Sequence, residues 1–152
     1  MLKAGVKRHM RHLLNLWPPL LGAGIRVTRL TPDWREVDAE MKLRRWNRNF
    51  VGTHYGGSLY SIADPFYMLM LIANLGRDYI VWDKAASIRF RRPGKGTVRA
   101  SFRLSELQVD EIRQALKTAE RIDREFVVEI KDEAGESICE VKKVIQMRKK
   151  AA

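Results

Sequence analysis

The stretch Asn49-Phe50-Val51-Gly52-Thr53-His54-Tyr55-Gly56-Gly57 leads into the longest apolar run of the chain, Leu59 to Leu75, whose single carboxylate is Asp64. A glycine pair at a helix start leaves backbone N–H groups bare, and the helix dipole adds partial positive charge there. Such a terminus can hold a carbonyl oxygen that is turning into an oxyanion. Asp64, about two turns further on, is then placed to act as base or nucleophile. The spacing points to acyl chemistry. The run is slightly short for a membrane span, and Asp64 and Pro65 are costly in lipid, so it reads as a buried core helix ending near Gly76.

The flanking segments are strands. Ile25 to Leu30 is a short strand after Gly22 and Gly24, and Thr31-Pro32-Asp33 is a turn. Val37, Ala39, Met41 and Leu43 alternate with charged residues, which predicts a half-buried strand. Ala86, Ile88 and Phe90 alternate in a third strand opened by Asp83 and Lys84. Val98, Ala100, Phe102 and Leu104 alternate in a fourth, and the turn Pro93-Gly94-Lys95-Gly96 between them predicts a hairpin. Ser105 and Gln108 resemble a capping box for a helix reaching about Ala119. Phe126, Val128 and Ile130 mark a fifth strand, and Asp132-Glu133-Ala134-Gly135 a turn. Cys139, Val141, Lys143, Ile145 and Met147 mark one face of a sixth strand, with Arg148 to Ala152 as a frayed basic tail.

At the other end, Leu2, Val6, Met10, Leu13, Leu14 and Trp17 form one helical stripe, and Pro18-Pro19 stops that helix. Such a basic amphipathic helix packs over its own sheet or lies on anionic lipid. The plan is α+β, a curved antiparallel sheet of about six strands wrapped around one long central helix. A helix apolar on nearly every side needs more cover than one sheet provides.

Bulk properties narrow the chemistry. The chain has 152 residues, consistent with one domain, divided as an N-terminal helix and Pro-Pro lead-in (1–21), a core (22–148) and a tail (149–152). Its 29 Lys and Arg against 18 Asp and Glu give a net charge of +11, which favours anionic partners. The lone Cys139 excludes an internal disulfide and fits a reducing, cytoplasmic compartment, and its place in an alternating strand makes it core filler. No secretory signal, zinc spacing, phosphate loop or dinucleotide fingerprint is present, so no metal or resident cofactor is expected. The basic residues Arg89, Arg91, Arg92, Lys95, Arg99 and Arg103 form an acid-free block. They read either as a charged sheet edge or as a clamp for phosphate.

Taken together, the chain resembles the hotdog-fold acyl-CoA thioesterases, particularly the phenylacetate-degradation type and an uncharacterised branch with an N-terminal helix. That family's motif runs Asn, two residues, Gly, two or three residues, His-Gly-Gly, and then an acidic residue on the central helix. Asn49, Gly52, Gly56, Gly57 and Asp64 fall on it, and Phe90 to Gly96 resembles the family's aromatic-x-x-Pro-x-x-Gly strand end. Trp17-Pro18-Pro19 matches the branch's lead-in. The family His before Gly-Gly is Tyr55 here, and the nearest histidine is displaced to His54.

The resemblance implies hydrolysis of an acyl-CoA or acyl-carrier-protein thioester by a homodimer or dimer of dimers, with coenzyme A present only as part of the substrate. It implies that the Gly57 N–H and the Tyr55 hydroxyl receive the carbonyl oxygen. Asp64, from across the dimer interface, would activate water or attack directly, with Asn49 positioning water or leaving group. It places the acyl chain along Phe66, Tyr67 and Met70, with Gly56, His54 and Asp83 beside the substrate and Arg91, Arg92 and Lys95 on the nucleotide phosphates. Blander readings stand beside these: His54 as a surface or turn residue, Tyr55 as packing, Asp83 in a simple salt bridge. The rival functions are a non-catalytic acyl-CoA binder, which Tyr55 favours, a dehydratase, which lacks its histidine, and a nucleic-acid binder. The last lacks aromatic interleaving on the basic block and a recognition helix.

Overall fold

The computed structural model describes residues 4–150. The expected helix start at Leu2, the side chains of 4–8 and the last two tail residues lie outside what is described. Two helices, α1 (Ala4–Leu16) and α2 (Pro18–Ala23), precede strands β1 (Ile25–Leu30) and β2 (Glu36–Lys42). Helices α3 (Gly56–Ala63) and α4 (Phe66–Leu75) follow, then β3 (Tyr79–Phe90), β4 (Thr97–Arg103), α5 (Glu106–Thr118), β5 (Arg121–Lys131) and β6 (Ser137–Lys149). The six strands form one antiparallel sheet in the order β1-β2-β4-β5-β6-β3. The sheet wraps the α3–α4 segment, as the apolar run demanded.

Alternation decides which face is buried. Val37, Ala39 and Met41 of β2, Val98, Ala100 and Phe102 of β4, and Phe126, Val128 and Ile130 of β5 all point into the core. They meet Leu59, Ile62, Phe66, Met70 and Leu71 from the helical segment. Phe66 and Tyr67 stack on the Phe102 and Phe126 rings with centroids 4.6–5.3 Å apart. The segment Gly56–Leu75 is long and apolar enough to cross a membrane, and here more than half of it is buried in this core. The capping box forms as expected: Ser105 and Gln108 satisfy each other's backbone N–H at the start of α5.

Three expectations are corrected and one is refined. The Pro18-Pro19 pair ends α1 but also opens α2, because proline at the first helical positions sacrifices no hydrogen bond. The long central helix forms as expected, with one refinement: a break at Asp64–Pro65 divides it into α3 and α4, since Pro65 has no N–H to continue the ladder. Strand β3 begins at Tyr79, and β6 pairs with it as far as Lys149, so the tail is ordered further than expected. Finally, β3 and β4 are not a hairpin, for β3 pairs with β6 while β4 lies between β2 and β5. The Pro93–Gly96 link is stitched to the 43–54 loop instead of turning back. Gly94 carbonyl accepts the His54 N–H at 3.0 Å and Gly96 carbonyl the Leu43 N–H at 2.8 Å.

The two sheet edges differ. Asn15 of α1 pairs with the β1 edge like a neighbouring strand: its Nδ2 donates to the Val27 carbonyl at 3.1 Å and its Oδ1 accepts the Val27 N–H at 2.7 Å. Arg11 adds a bond to the Thr28 carbonyl at 3.1 Å. No such cover lies over β3 among the described residues, and Lys84 to Ser87 are exposed there. Replacing the Asn15 amide should unpair Val27, so Asn15→Ala is expected to lower unfolding free energy by about 1–2 kcal/mol. Urea denaturation checks this, and an unchanged midpoint would mean that α1 is not tied to the sheet through Asn15.

Candidate functional site

The break between α3 and α4 lies against Lys143, the one buried lysine, arginine or carboxylate side chain among the described residues. Pro65 has no N–H for the Ser61 carbonyl, so the ladder breaks there, and the Asp64 carbonyl, outside both helices, faces β6. Lys143 of β6 meets it. The Lys143 side chain is fully buried, and its ammonium donates to the Asp64 carbonyl, to Asp64 Oδ1 at 3.0 Å and to Asp83 Oδ2 at 2.8 Å. All three ammonium hydrogens are thus used. Asp83 arrives because β3 is bulged between Asp83 and Ala85, which turns Asp83 inward and Lys84 outward to Asp123 at 2.6 Å. The salt bridge expected of Asp83 thus forms with Lys143, and Lys84 pairs separately with Asp123. The Asp64 side chain remains 46% exposed despite its hold on a fully buried partner.

Tyr60, one turn before Asp64, completes the cluster, with its ring 5.9 Å from the Lys143 ammonium. Burial, its hydrogen bond with Asp64, and the negative charges of Asp64 and Asp83 push its phenol up to about 12. Tyr60 stays a hydrogen-bond donor at any physiological pH. Neither Tyr60 nor Lys143 was singled out as functional from the sequence. The available signal was a lysine within Cys139, Val141, Ile145 and Met147, since a charge in a core-facing register is seldom accidental.

The glycine pair sits at the other end of α3. Tyr55 is the N-cap and supplies no side-chain cap, so the first N–H groups of α3 have no intrahelical partner. A Cβ on Gly57 would stand 2.5 Å from Tyr55 Cε1, so the half-exposed Tyr55 ring lies directly over Gly57. A Cβ on Gly56 would stand 3.1 Å from Phe90 Cζ. Two open grooves flank this terminus. One of about 350 Å³ is lined by Asn49, His54, Gly56, Phe90, Arg91 and Arg92 among others. The second, about 710 Å³, is lined by Arg45, Arg48, Phe50 and Tyr55 among others. Asp64 lines neither.

Several candidates have structural duties. The Asn49 side chain is used within its own loop, donating to Thr53 Oγ1 at 2.8 Å and accepting from Val51 N and Thr53 N at 3.1 and 3.0 Å. It shapes the loop ahead of Gly56 and leaves little for a ligand. Phe66, Tyr67 and Met70 are packed in the closed core, not along a groove, because the rings of Phe102 and Phe126 fill the space they face. Arg91 and Arg92 line the first groove and pair with Glu140 at 2.9 Å and Glu136 at 2.8 Å. Arg103 pairs with Asp38 at 2.7 Å. The block free of acids in sequence is therefore matched by acids on neighbouring strands and on the turn before β6, and Lys95 is not among the lining residues. Cys139 is buried, which pushes its thiol up to about 12.

With this geometry in view, residues 5–147 match the family described as a domain of unknown function, DUF4442. The chain belongs to the DUF4442 family. No curated protein matches it in sequence. The DUF4442 chain is similar to a protein of unknown function from Pseudomonas aeruginosa, with 24% identity over 98% of this chain and 97% of that one and a TM-score of 0.80. It is also similar to a thioesterase from Haemophilus influenzae, at 14% identity, 93% and 90% coverage and a TM-score of 0.68. A mutant of the phenylacetic acid degradation protein PaaI from Thermus thermophilus aligns at 20% identity, 85% and 97% coverage and a TM-score of 0.59. These likenesses establish the hotdog fold for this DUF4442 chain.

His54 is buried beside the first groove, and its Nε2 contacts the Gly96 carbonyl at 3.1 Å, which makes Nε2 the protonated nitrogen. Burial holds the imidazole below its ordinary range, outweighing the pull of that carbonyl. The unfolded chain therefore binds the proton more readily, so stability is lost as pH falls below about 6.5 toward the depressed folded value. His54→Gln, which keeps a donor toward Gly96, should flatten this dependence. Thermal unfolding at about pH 7.5 and about pH 5.5 should show a larger loss for wild type than for the variant, and equal losses would contradict the assignment.

Proposed function

We propose that this chain hydrolyses acyl thioesters of coenzyme A or acyl carrier protein, acting as a homodimer in a reducing compartment such as the cytoplasm. The observation that carries the reading is Asp64, a half-exposed carboxylate at the end of the helix that begins with bare glycine N–H groups, held from behind by the buried Lys143 of β6. Seven residues of helix place Gly57 and Asp64 about 10 Å apart along the axis, too far to act on one carbonyl. One copy therefore supplies the N–H groups and a second supplies the carboxylate. The uncovered β3 edge, next to Asp83, gives the second copy a place to pair.

In this mechanism Asp64 takes a proton from water while the water oxygen attacks the acyl carbon. Direct attack by Asp64, followed by hydrolysis of the anhydride, uses the same placement. The Gly57 N–H, with the Tyr55 hydroxyl beside it, receives the developing oxyanion. The proton held by Asp64 then goes to the departing thiolate. Arg91 and Arg92 border the groove at the same helix terminus, and their exposed pairs with Glu140 and Glu136 are weak enough to exchange for phosphate. Tyr55, where relatives carry histidine, favours one rival: an acyl-CoA binder without turnover.

Thiol release from acyl-CoAs of varied chain length separates the two. Wild type is expected to turn over, and Asp64→Asn should reduce kcat by about 10²-fold or more. An absence of turnover with acyl-CoA still raising the melting temperature would support the binder instead.

A further inference from the structure

We propose that Lys143 is a positioning residue for Asp64, fixing which carboxylate oxygen faces the substrate. This rests on the hydrolytic reading of the Asp64 site. Burying an ammonium costs several kcal/mol, and an apolar residue of similar volume would often stabilise a core at least as well. The inner face of β6 is otherwise Cys139, Val141, Ile145 and Met147, so stability alone does not call for a cation there.

The contacts indicate what the cation does. One ammonium binds both the backbone carbonyl and Oδ1 of Asp64 and so fixes the side-chain torsions of Asp64 relative to its helix. That carbonyl stands at the α3–α4 break, where Pro65 has interrupted the ladder, so the lysine also secures the local backbone. Lys143 engages Oδ1 on the sheet side and Tyr60 adds a second hydrogen bond to the same carboxylate, so the half-exposed Asp64 side chain is held in one orientation while Oδ2 is the oxygen the lysine does not take. Asp83 holds the ammonium from β3 and offsets its charge, leaving one net negative charge in the cluster. Tyr60 is the remaining titratable group facing it, and it stays neutral. Proline, lysine and bulged aspartate thus hold one half-exposed carboxylate against an otherwise closed core.

The test uses the full chain in four forms: wild type, Lys143→Met, Asp83→Asn and the double variant. Each is assayed for thiol release and thermal unfolding. Lys143→Met should lose about 10- to 100-fold in kcat with KM changed by less than about two-fold, because Asp64 is misplaced and binding groups are not. It should also melt at a lower temperature, with two carboxylates left facing each other. The double variant relieves that repulsion and should regain melting temperature without regaining kcat. Where Lys143→Met is insoluble, Lys143→Gln keeps a donor without the charge, and the same separation is expected. Recovery of kcat together with stability in the double variant would make Lys143 merely structural and overturn the proposal. So would an unchanged kcat in a folded Lys143 variant. A wild type that hydrolyses nothing overturns the hydrolytic reading and this inference with it, whereas wild-type turnover with intact Lys143 variants overturns this inference alone.

Discussion

A single buried ammonium links the three elements that matter most. Lys143 on β6 holds the helix break at Asp64-Pro65 and the bulged strand β3 through Asp83. Its three hydrogens are met by three oxygens, which makes burial tolerable, and losing any one partner would leave charge unpaired in a low-dielectric interior. The break cannot become one continuous helix, because Pro65 forbids it, and cannot stay open, because a bare carbonyl would face the core. Asp64 is therefore presented at one angle. Everything proposed about chemistry depends on that angle.

The two sheet edges explain why a second copy belongs in the account. At β1 the side chain of Asn15 imitates a strand and closes the ladder. At β3 nothing comparable lies among the described residues, and the small Ala85, Ala86 and Ser87 are exposed along that edge. The same strand carries Asp83, so pairing along β3 would bring the acidic cluster of one copy toward the glycine terminus of the other. Phe50, Val51, Tyr55 and Trp82 are large, apolar and exposed, which suits surfaces that a partner covers.

Much of this architecture was legible in periodicity. The alternation at Val37, Val98, Phe126 and Cys139 gave four strands with their inner faces, and Ser105 with Gln108 marked α5. What was illegible depended on contacts distant in sequence. Pro93-Gly94-Lys95-Gly96 has hairpin chemistry, yet its carbonyls are taken by Leu43 and His54, and the chain crosses the sheet instead. The arginine block has no acids nearby in sequence, yet Glu140, Glu136 and Asp38 reach it across the sheet. The bulge before Ala85 changes the parity of β3, so the alternation read from Ala86 onward did not predict that Asp83 turns inward. Asp64 was found from its distance to Gly57. Lys143 stood in the inner register of β6, and only its two carboxylate partners show why.

The central claim is that one carbonyl is addressed by the Gly57 terminus of one copy and the lysine-held Asp64 of another. A crystal structure with an acyl-CoA analogue whose thioester sulfur is replaced by methylene tests it most directly. The analogue is expected between two copies, its carbonyl oxygen about 3 Å from the Gly57 nitrogen of one, with Asp64 of the partner subunit, still bonded to its Lys143, facing the carbonyl carbon. An analogue bound away from Asp64, or addressed by both groups of a single copy, would contradict it.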